Sequence, residues 1–378
     1  MAAVITGEVA SLSSDLVYEI LSRLDGTTLA SAACACVDFC AITREEGIWE
    51  DVCGSLWPSI VDEETKSLIH SLGGFRKFYA DCFPLITNEE KVSAVQWDSD
   101  LEELYVWSDY SDDEDEELQG VLPSDFVSIV DVRFKDKVVY SKVLWGIPDA
   151  DDFHGWFSRC PFRIDLLNFS DEDDNPGSQI TVSVADGLPQ LTSIERERKD
   201  GKFWRELQDS IRLSWILVNK RLKQAVNLAS WSPLGGQRHW PTDNDFLIHF
   251  GSILPSHNIL PCKVVQCIIG MKCRVSHVGV GENAQTTLKI IELSMQLEDL
   301  RHAHLNGKNS LLVLKRAMSC RRSRNYSEVL ESCHQYSKAQ SELKEEKMRS
   351  QDRVDRLCIV SAIAAFASFW YFILFSEN

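Results

Sequence analysis

The sequence predicts an α+β multidomain chain: three short N-terminal helices, a central, mainly antiparallel β sandwich or barrel, and a C-terminal helical stalk running into a single transmembrane helix. Three patterns carry this. Apolar residues recur at helical spacing between Leu12 and Cys53. Between Phe126 and Leu297 the apolar period falls to two, in runs separated by turn residues and without strand–helix–strand alternation. Leu357 to Phe375 carries no charge at all. A chain of 378 residues, 44% hydrophobic, has apolar surface for more than one core.

Leu16, Val17, Ile20, Leu21 and Leu24 form the stripe of a first helix, with Ser13 or Ser14 placed to cap it and Gly26 after its end. Thr27 or Thr28 can cap a second helix, striped by Leu29, Ala32, Ala33, Cys36, Val37 and Cys40. Thr43 and Glu46 have capping-box spacing ahead of a third, which carries Ile48, Trp49 and Val52 and is closed by Gly54. About forty residues in three helices bury little surface alone, so the unit needs the rest of its chain or a partner.

The pattern L-x-x-D-L-x-x-E-I-L-x-x-L from Leu12, the Ala/Cys-rich second helix and the closing Ile48-Trp49 resemble an F-box. Ser13 stands where that motif usually has Pro, and Phe39 where it has Trp. Leu56-Trp57-Pro58-Ser59-Ile60, Phe75 to Asp81, Leu213 to Leu217 and Arg238-His239-Trp240 extend the resemblance to a plant F-box protein family. The resemblance implies docking on the Skp-type adaptor of a cullin ubiquitin ligase. The residues expected at that interface or supporting it are Leu12, Leu16, Ile20, Leu21, Leu24, Leu29, Cys36, Val37, Phe39 and Trp49. The alternative is a helical cap serving only the chain's own stability.

The expected boundaries are an F-box at 10–55, a helical extension at 56–88, an acidic linker at 89–120, a β-rich target-recognition domain at 121–320, a charged helical stalk at 321–356 and a membrane anchor at 357–375. In the linker, Asp98 to Glu117 holds many carboxylates and no Lys or Arg, and such like charges resist folding. Ser111, followed by acid, is a candidate phosphosite for an acid-directed kinase. A second acidic loop runs from Asp171 to Asp174.

Phe126 to Phe134 and Val138 to Leu144 read as a hairpin about Lys135-Asp136-Lys137. Ile180 to Val184 is a short strand. In the next, Ile211, Leu213, Trp215 and Leu217 alternate with more polar neighbours, and Ala225 to Trp231 follows a turn at Asn219-Lys220. Phe246 to Phe250 is a further strand, Val265, Cys267, Ile269, Met271, Cys273 and Val275 share a face of another, and Ile291, Leu293, Met295 and Leu297 a face of a third. A helix is expected over Asn309 to Met318 after Asn306-Gly307. Lectin-like sandwiches offer an analogy for this region, at fold level only.

Tyr326, Val329, Leu330, Cys333, Tyr336 and Leu343 make a broken helical stripe ahead of the apolar run. That run spans roughly 28 Å, close to a bilayer's hydrocarbon thickness. Arg349, Arg353 and Arg356 precede it and favour a cytosolic N-terminal side, while Trp370 and Tyr371 suit the far interface. With three residues beyond it, the segment reads as a tail anchor, the endoplasmic reticulum being favoured. The N-terminus lacks the basic and apolar regions of a secretory signal, so the twelve scattered cysteines read as reduced thiols.

A net charge of −18 argues against nucleic acid as a partner. No nucleophile elbow, phosphate-binding glycine loop or H-E-x-x-H pattern is present, and no cofactor is implied. Cys262, Cys267, Cys273 and His277 fit a zinc spacing, but an extended strand would hold Cys267 and Cys273 about 20 Å apart, too far for one ion. Trp231, Arg238, His239 and Trp240 surround Gly235-Gly236 in an expected loop, where they either line a ligand or target pocket or anchor the loop. His302 and His304 read as exposed, and Lys315, Arg316, Arg321, Arg322 and Arg324 as a solvated helix end or lipid contact. The expectation is a non-catalytic recognition subunit of a Skp-cullin-F-box ligase. Its partners would be the adaptor, through it a cullin, an unknown protein target, and membrane lipid through 357–375. The alternative is an anchored, lectin-like binding protein outside ubiquitination.

Overall fold

The computed structural model describes residues 13–88, 121–135, 137–148, 150, 155–168, 181–183, 188, 202–238, 245–278 and 285–376. Leu12, Ser111, His239, Trp240 and both acidic stretches lie outside them.

Six helices open the chain: α1 Ser14–Leu21, α2 Gly26–Ala32, α3 Val37–Ile42, α4 Glu46–Leu56, α5 Glu63–Leu72 and α6 Phe75–Cys82. The expected second helix is thus two. Its break falls at Cys36, whose extended backbone (φ −154°, ψ 167°) lets its sulfur accept the Phe39 N–H and start α3. The caps also move. Asp25, not a threonine, caps α2, accepting the N–H groups of Thr27 at 2.9 Å and Thr28 at 3.1 Å. Gly26 opens that helix instead of closing α1, and a Cβ there would enter the Tyr79 ring. Gly54 does not end α4, which runs on to Leu56. Thr43 and Glu46 form no capping box: Thr43 bonds back to Phe39, and Glu46 accepts the first N–H of α6, from Phe75, at 2.8 Å.

Two antiparallel sheets share one core. The four-stranded sheet has the order β3-β2-β6-β7, from β2 Phe126–Phe134, β3 Lys137–Trp145, β6 Ile211–Asn219 and β7 Gln224–Asn227. The six-stranded sheet runs β4-β11-β10-β9-β8, with β5 Thr181–Ser183 also on β11. Its other strands are β4 Arg163–Asn168, β8 Gly235–Arg238, β9 Asp245–Pro255, β10 Val264–Val278 and β11 Gln285–Glu298. α7 Trp156–Arg159, α8 Lys202–Ser210 and α9 Gly307–Ala317 flank the sheets, and β1 Leu85–Ile86 pairs with β12 Arg322–Ser323.

The smaller sheet is covered on both faces. Phe126, Val130, Val132, Leu213, Trp215 and Leu217 point to the shared core, whereas Val127, Ile129, Ile216 and Val218 pack on the N-terminal helices. That third layer corrects the alternation expected around Trp215: Ile216 and Val218 are as buried as the residues they separate. Burying such a side chain contributes about 1.5–3 kcal/mol, so the helices gain from the sheet the surface they cannot bury alone.

The expected face of β10 is in the core from Val265 to Val275. In β11 a bulge at Ile291, opposite the Lys272/Cys273 step, switches the core face from Leu288 and Ile290 to Leu293, Met295 and Leu297. Ile291 therefore does not share their face as expected. α10 Tyr326–Ser376 is one continuous helix. Its first turns belong to the body, not to a solvated stalk: Val329, Ser332, Tyr336 and Ala339 are buried, and the Tyr336 hydroxyl donates to the Glu298 carbonyl at 3.1 Å. Farther on, Leu357 to Tyr371 is exposed throughout, and the helix as a whole is long enough and carries a stretch apolar enough to cross a membrane.

Candidate functional site

Helix α1 is apolar on two sides. Val17 and Leu21 face inward, while Leu16 and Ile20, one turn apart, are each 53% exposed, and Val37 at the start of the contacting helix α3 is 83% exposed. Ser13 sets the helix start by accepting the Leu16 N–H at 3.4 Å. Cys36, beside Val37, is exposed, and Leu24 and Phe39 are half-buried at the margin. Single exposed apolar residues are ordinary, but a cluster on neighbouring helices marks a surface that gains by being covered.

The other residues expected at this interface lie beneath it. Leu21, Leu29 and Trp49 are buried in the helical core. Trp49 donates its indole N–H to the Thr43 carbonyl at 2.7 Å and meets the Tyr79 ring at 5.3 Å. Tyr79 in turn stacks on Phe83 and fills the space that Gly26 leaves. The Asp25 carboxyl is held far below the usual carboxylate range, first by hydrogen bonds from the Thr27 and Thr28 side chains and then by the Thr28 N–H. A fixed negative charge thus caps α2 directly behind α1.

A second polar cluster, not anticipated from sequence, joins this module to the sheet. Buried Asp131 on β2 accepts the Ser59 N–H at 3.0 Å, the Ser59 hydroxyl at 2.5 Å and the Ser141 hydroxyl at 2.7 Å. Burial raises its carboxyl, while the Ser59 and Ser141 bonds and Arg133 oppose that rise. Arg133 donates to the Ser55 carbonyl and, at 3.3 Å, to that of Leu56. An acid between Val130 and Val132 in an apolar strand was the available signal, since buried carboxylates need partners.

Of the residues expected about Gly235-Gly236, Trp231 and Arg238 are described, whereas His239 and Trp240 lie outside the described residues. The glycines lie in β8, paired with β9, not in a loop. Trp231, at φ +65°, accepts the Leu213 N–H at 3.0 Å through its carbonyl, and Arg238 sits over the Phe246 ring at 5.9 Å. Cys267 and Cys273 lie buried along β10, and burial raises both thiols, disfavouring the thiolate a metal would need; Cys262 is pushed up to about 11. Among the described residues no three His, Cys, Asp or Glu gather to hold a metal ion. His302 and His304 are exposed, each with Nδ1 near the Glu298 carboxylate, at 3.7 and 3.5 Å. The basic run is partly internal: Arg322 donates to the Asp81 carbonyl at 2.7 Å and Arg316 to that of His257.

No family model matches the chain, and no solved structure matches it. It is similar to F-box protein At2g27310 of Arabidopsis thaliana, 26% identical over 98% of each chain. It is also similar to Probable F-box protein At2g36090 of the same plant, 26% identical over 99% of this chain and 96% of the relative. A shorter likeness, 35% identical over 74 residues, covers 19% of this chain and 35% of F-box protein GID2 of Oryza sativa subsp. japonica. These homologues are named plant F-box proteins and support the F-box family for this chain.

Proposed function

We propose that this chain is the substrate-recognition subunit of a Skp-cullin-F-box ubiquitin ligase, docking the Skp-type adaptor through residues 12–53. The carrying observation is the outward apolar set Leu16, Ile20 and Val37 on the contacting helices α1 and α3, above a buried helical core. Its relatives are named F-box proteins, which supports the Skp-type adaptor as the partner class. The chain does no chemistry of its own; it holds a target beside an activated ubiquitin and so raises the effective concentration of the attacking lysine. The β-rich part, 121–320, chooses the target. The exposed apolar turns of α10 anchor the assembly in a membrane with its N-terminal side in the cytosol, the endoplasmic reticulum being favoured. Co-purification of the adaptor with the full chain, but not with Leu16→Asp/Ile20→Asp, is the expected result. Equal recovery with both would remove the assignment.

A second reading rests on the packing of the helices against Val127, Ile129, Ile216 and Val218. In it the helices only complete the fold of an anchored, lectin-like binding protein, with Trp231, Arg238, His239 and Trp240 toward its ligand. Absence of the adaptor from the wild-type pull-down would select it.

A further inference from the structure

Two cavities lie end to end along α10. One, of about 810 Å³, is formed where Leu330, Cys333 and His334 face Gln237, Gln266 and Ile268 on the outer side of the six-stranded sheet. The other, of about 960 Å³, lies between the turn at Leu300–His302 and the helix from Gln340 to Gln351. His302 lines both, so the two adjoin and form a stepped groove beside the helix. From Leu330 to Gln351 the helix rises about 32 Å, the reach of roughly ten residues of extended chain.

The groove changes character along that length. Its upper part offers the apolar Leu330 and Ile268 beside the amides of Gln237 and Gln266, a mixture suited to side chains and backbone of an extended peptide. Its lower part brings Lys344 and Lys347 to the lining beside Glu346, with Arg301 acting on Asp299 at the turn, while Glu298 lines the upper part. Among the described residues Lys344 and Lys347 stand in no ion pair, unlike Lys338 and Arg349 on the same helix. Local positive charge on a chain of net −18 is a focused feature, and complementary charge selects a partner as well as speeding its approach. Lipid headgroups are a poorer match. Lys347 and Lys344 stand about 15 and 20 Å up the helix from Leu357, outside a headgroup layer about 5–8 Å deep, so headgroups do not touch them as a carboxylate lying in the groove does.

We infer that this groove is the target-docking site and that its occupant is an extended, acidic segment of the target protein, lying along α10 with its carboxylates on Lys344 and Lys347. The inference rests on the recognition role proposed above and adds the class of target. It is tested on the full chain in neutral detergent by fluorescence anisotropy, with labelled peptides of about ten residues alternating Glu with Thr or Lys with Thr. The acidic peptide binds and the basic one does not, and Lys344→Glu/Lys347→Glu, at exposed positions, weakens the acidic peptide by about tenfold or more with unchanged melting. Equal binding of both peptides, or of the acidic peptide by wild type and variant, overturns the inference. So does binding of phosphatidylserine-rich vesicles through these lysines when the peptide does not bind. Adaptor recovery, measured in parallel, separates the two failures. Lost peptide binding with retained adaptor removes only the groove, and lost adaptor with retained peptide removes only the ligase role.

Discussion

Asp131→Ala tests whether the helical module and the β-sheet behave as one cooperative unit. The substitution removes the acceptor of three hydrogen bonds from Ser59 and Ser141. Hydrogen bonds to a charged group are worth about 1.5–3 kcal/mol each, but the exposed Ser141 recovers water, and loss of a buried carboxylate returns part of its desolvation cost. The half-buried N–H and hydroxyl of Ser59 remain uncompensated, leaving a net loss of about 2 kcal/mol. Because burial raises this carboxyl in the folded state, its ionisation opposes folding. The stability it contributes by binding a proton is present below its unfolded value, near 3.8, and is lost as pH rises through the folded value. The gap between wild type and Asp131→Ala therefore widens on acidification, by at most about 1.4 kcal/mol per pH unit. Urea denaturation of the full chain at neutral and mildly acidic pH measures both effects. A variant within about 0.5 kcal/mol of wild type at neutral pH, or a gap that narrows on acidification, refutes the reasoning.

Other substitutions probe the frame of the proposed adaptor face and the proposed anchor. Gly26→Ala forces a methyl group into the Tyr79 ring and should cost about 1–3 kcal/mol, read as a lower melting temperature with altered Trp49 fluorescence. Asp25→Ala removes the cap of α2 at about 1 kcal/mol. Since the Asp25 carboxyl is lowered in the folded state, its contribution is present above its unfolded value and lost as pH falls through the folded one, so the variant's deficit should shrink in acid. Alkaline extraction should leave the full chain with the membranes and release a version lacking Leu357–Asn378; a soluble full chain would contradict the anchor.

Much of this architecture was legible because it is local. The spacing of Leu16, Val17, Ile20 and Leu21 specifies an amphipathic helix whatever surrounds it, and β10 shows its core face as an uninterrupted alternation from Val265 to Val275. What was missed depends on distant partners. The bulge at Ile291 is set by register against β10, and the second buried face of β6 by the helices that cover Ile216 and Val218. Ala32 to Cys36 has the composition of a continuous helix, yet the chain turns there. The inward roles of Leu29 and Trp49 and the outward roles of Leu16, Ile20 and Val37 separate only once the packing is known. The groove along α10 joins residues of four strands, a turn and a helix, and no single stretch of sequence displays it.

The central claim concerns the face built by α1 and α3, and adaptor affinity tests it most directly. Leu16 and Ile20 are already half-covered, so their burial is worth about 1 kcal/mol each, and a carboxylate forced into an apolar contact costs more again. Calorimetric titration of purified Skp-type adaptor into the full chain should give binding that Leu16→Asp/Ile20→Asp weakens by at least about a hundredfold, with unchanged melting. Wild-type affinity in the double variant, or no binding by the wild type, would contradict the account.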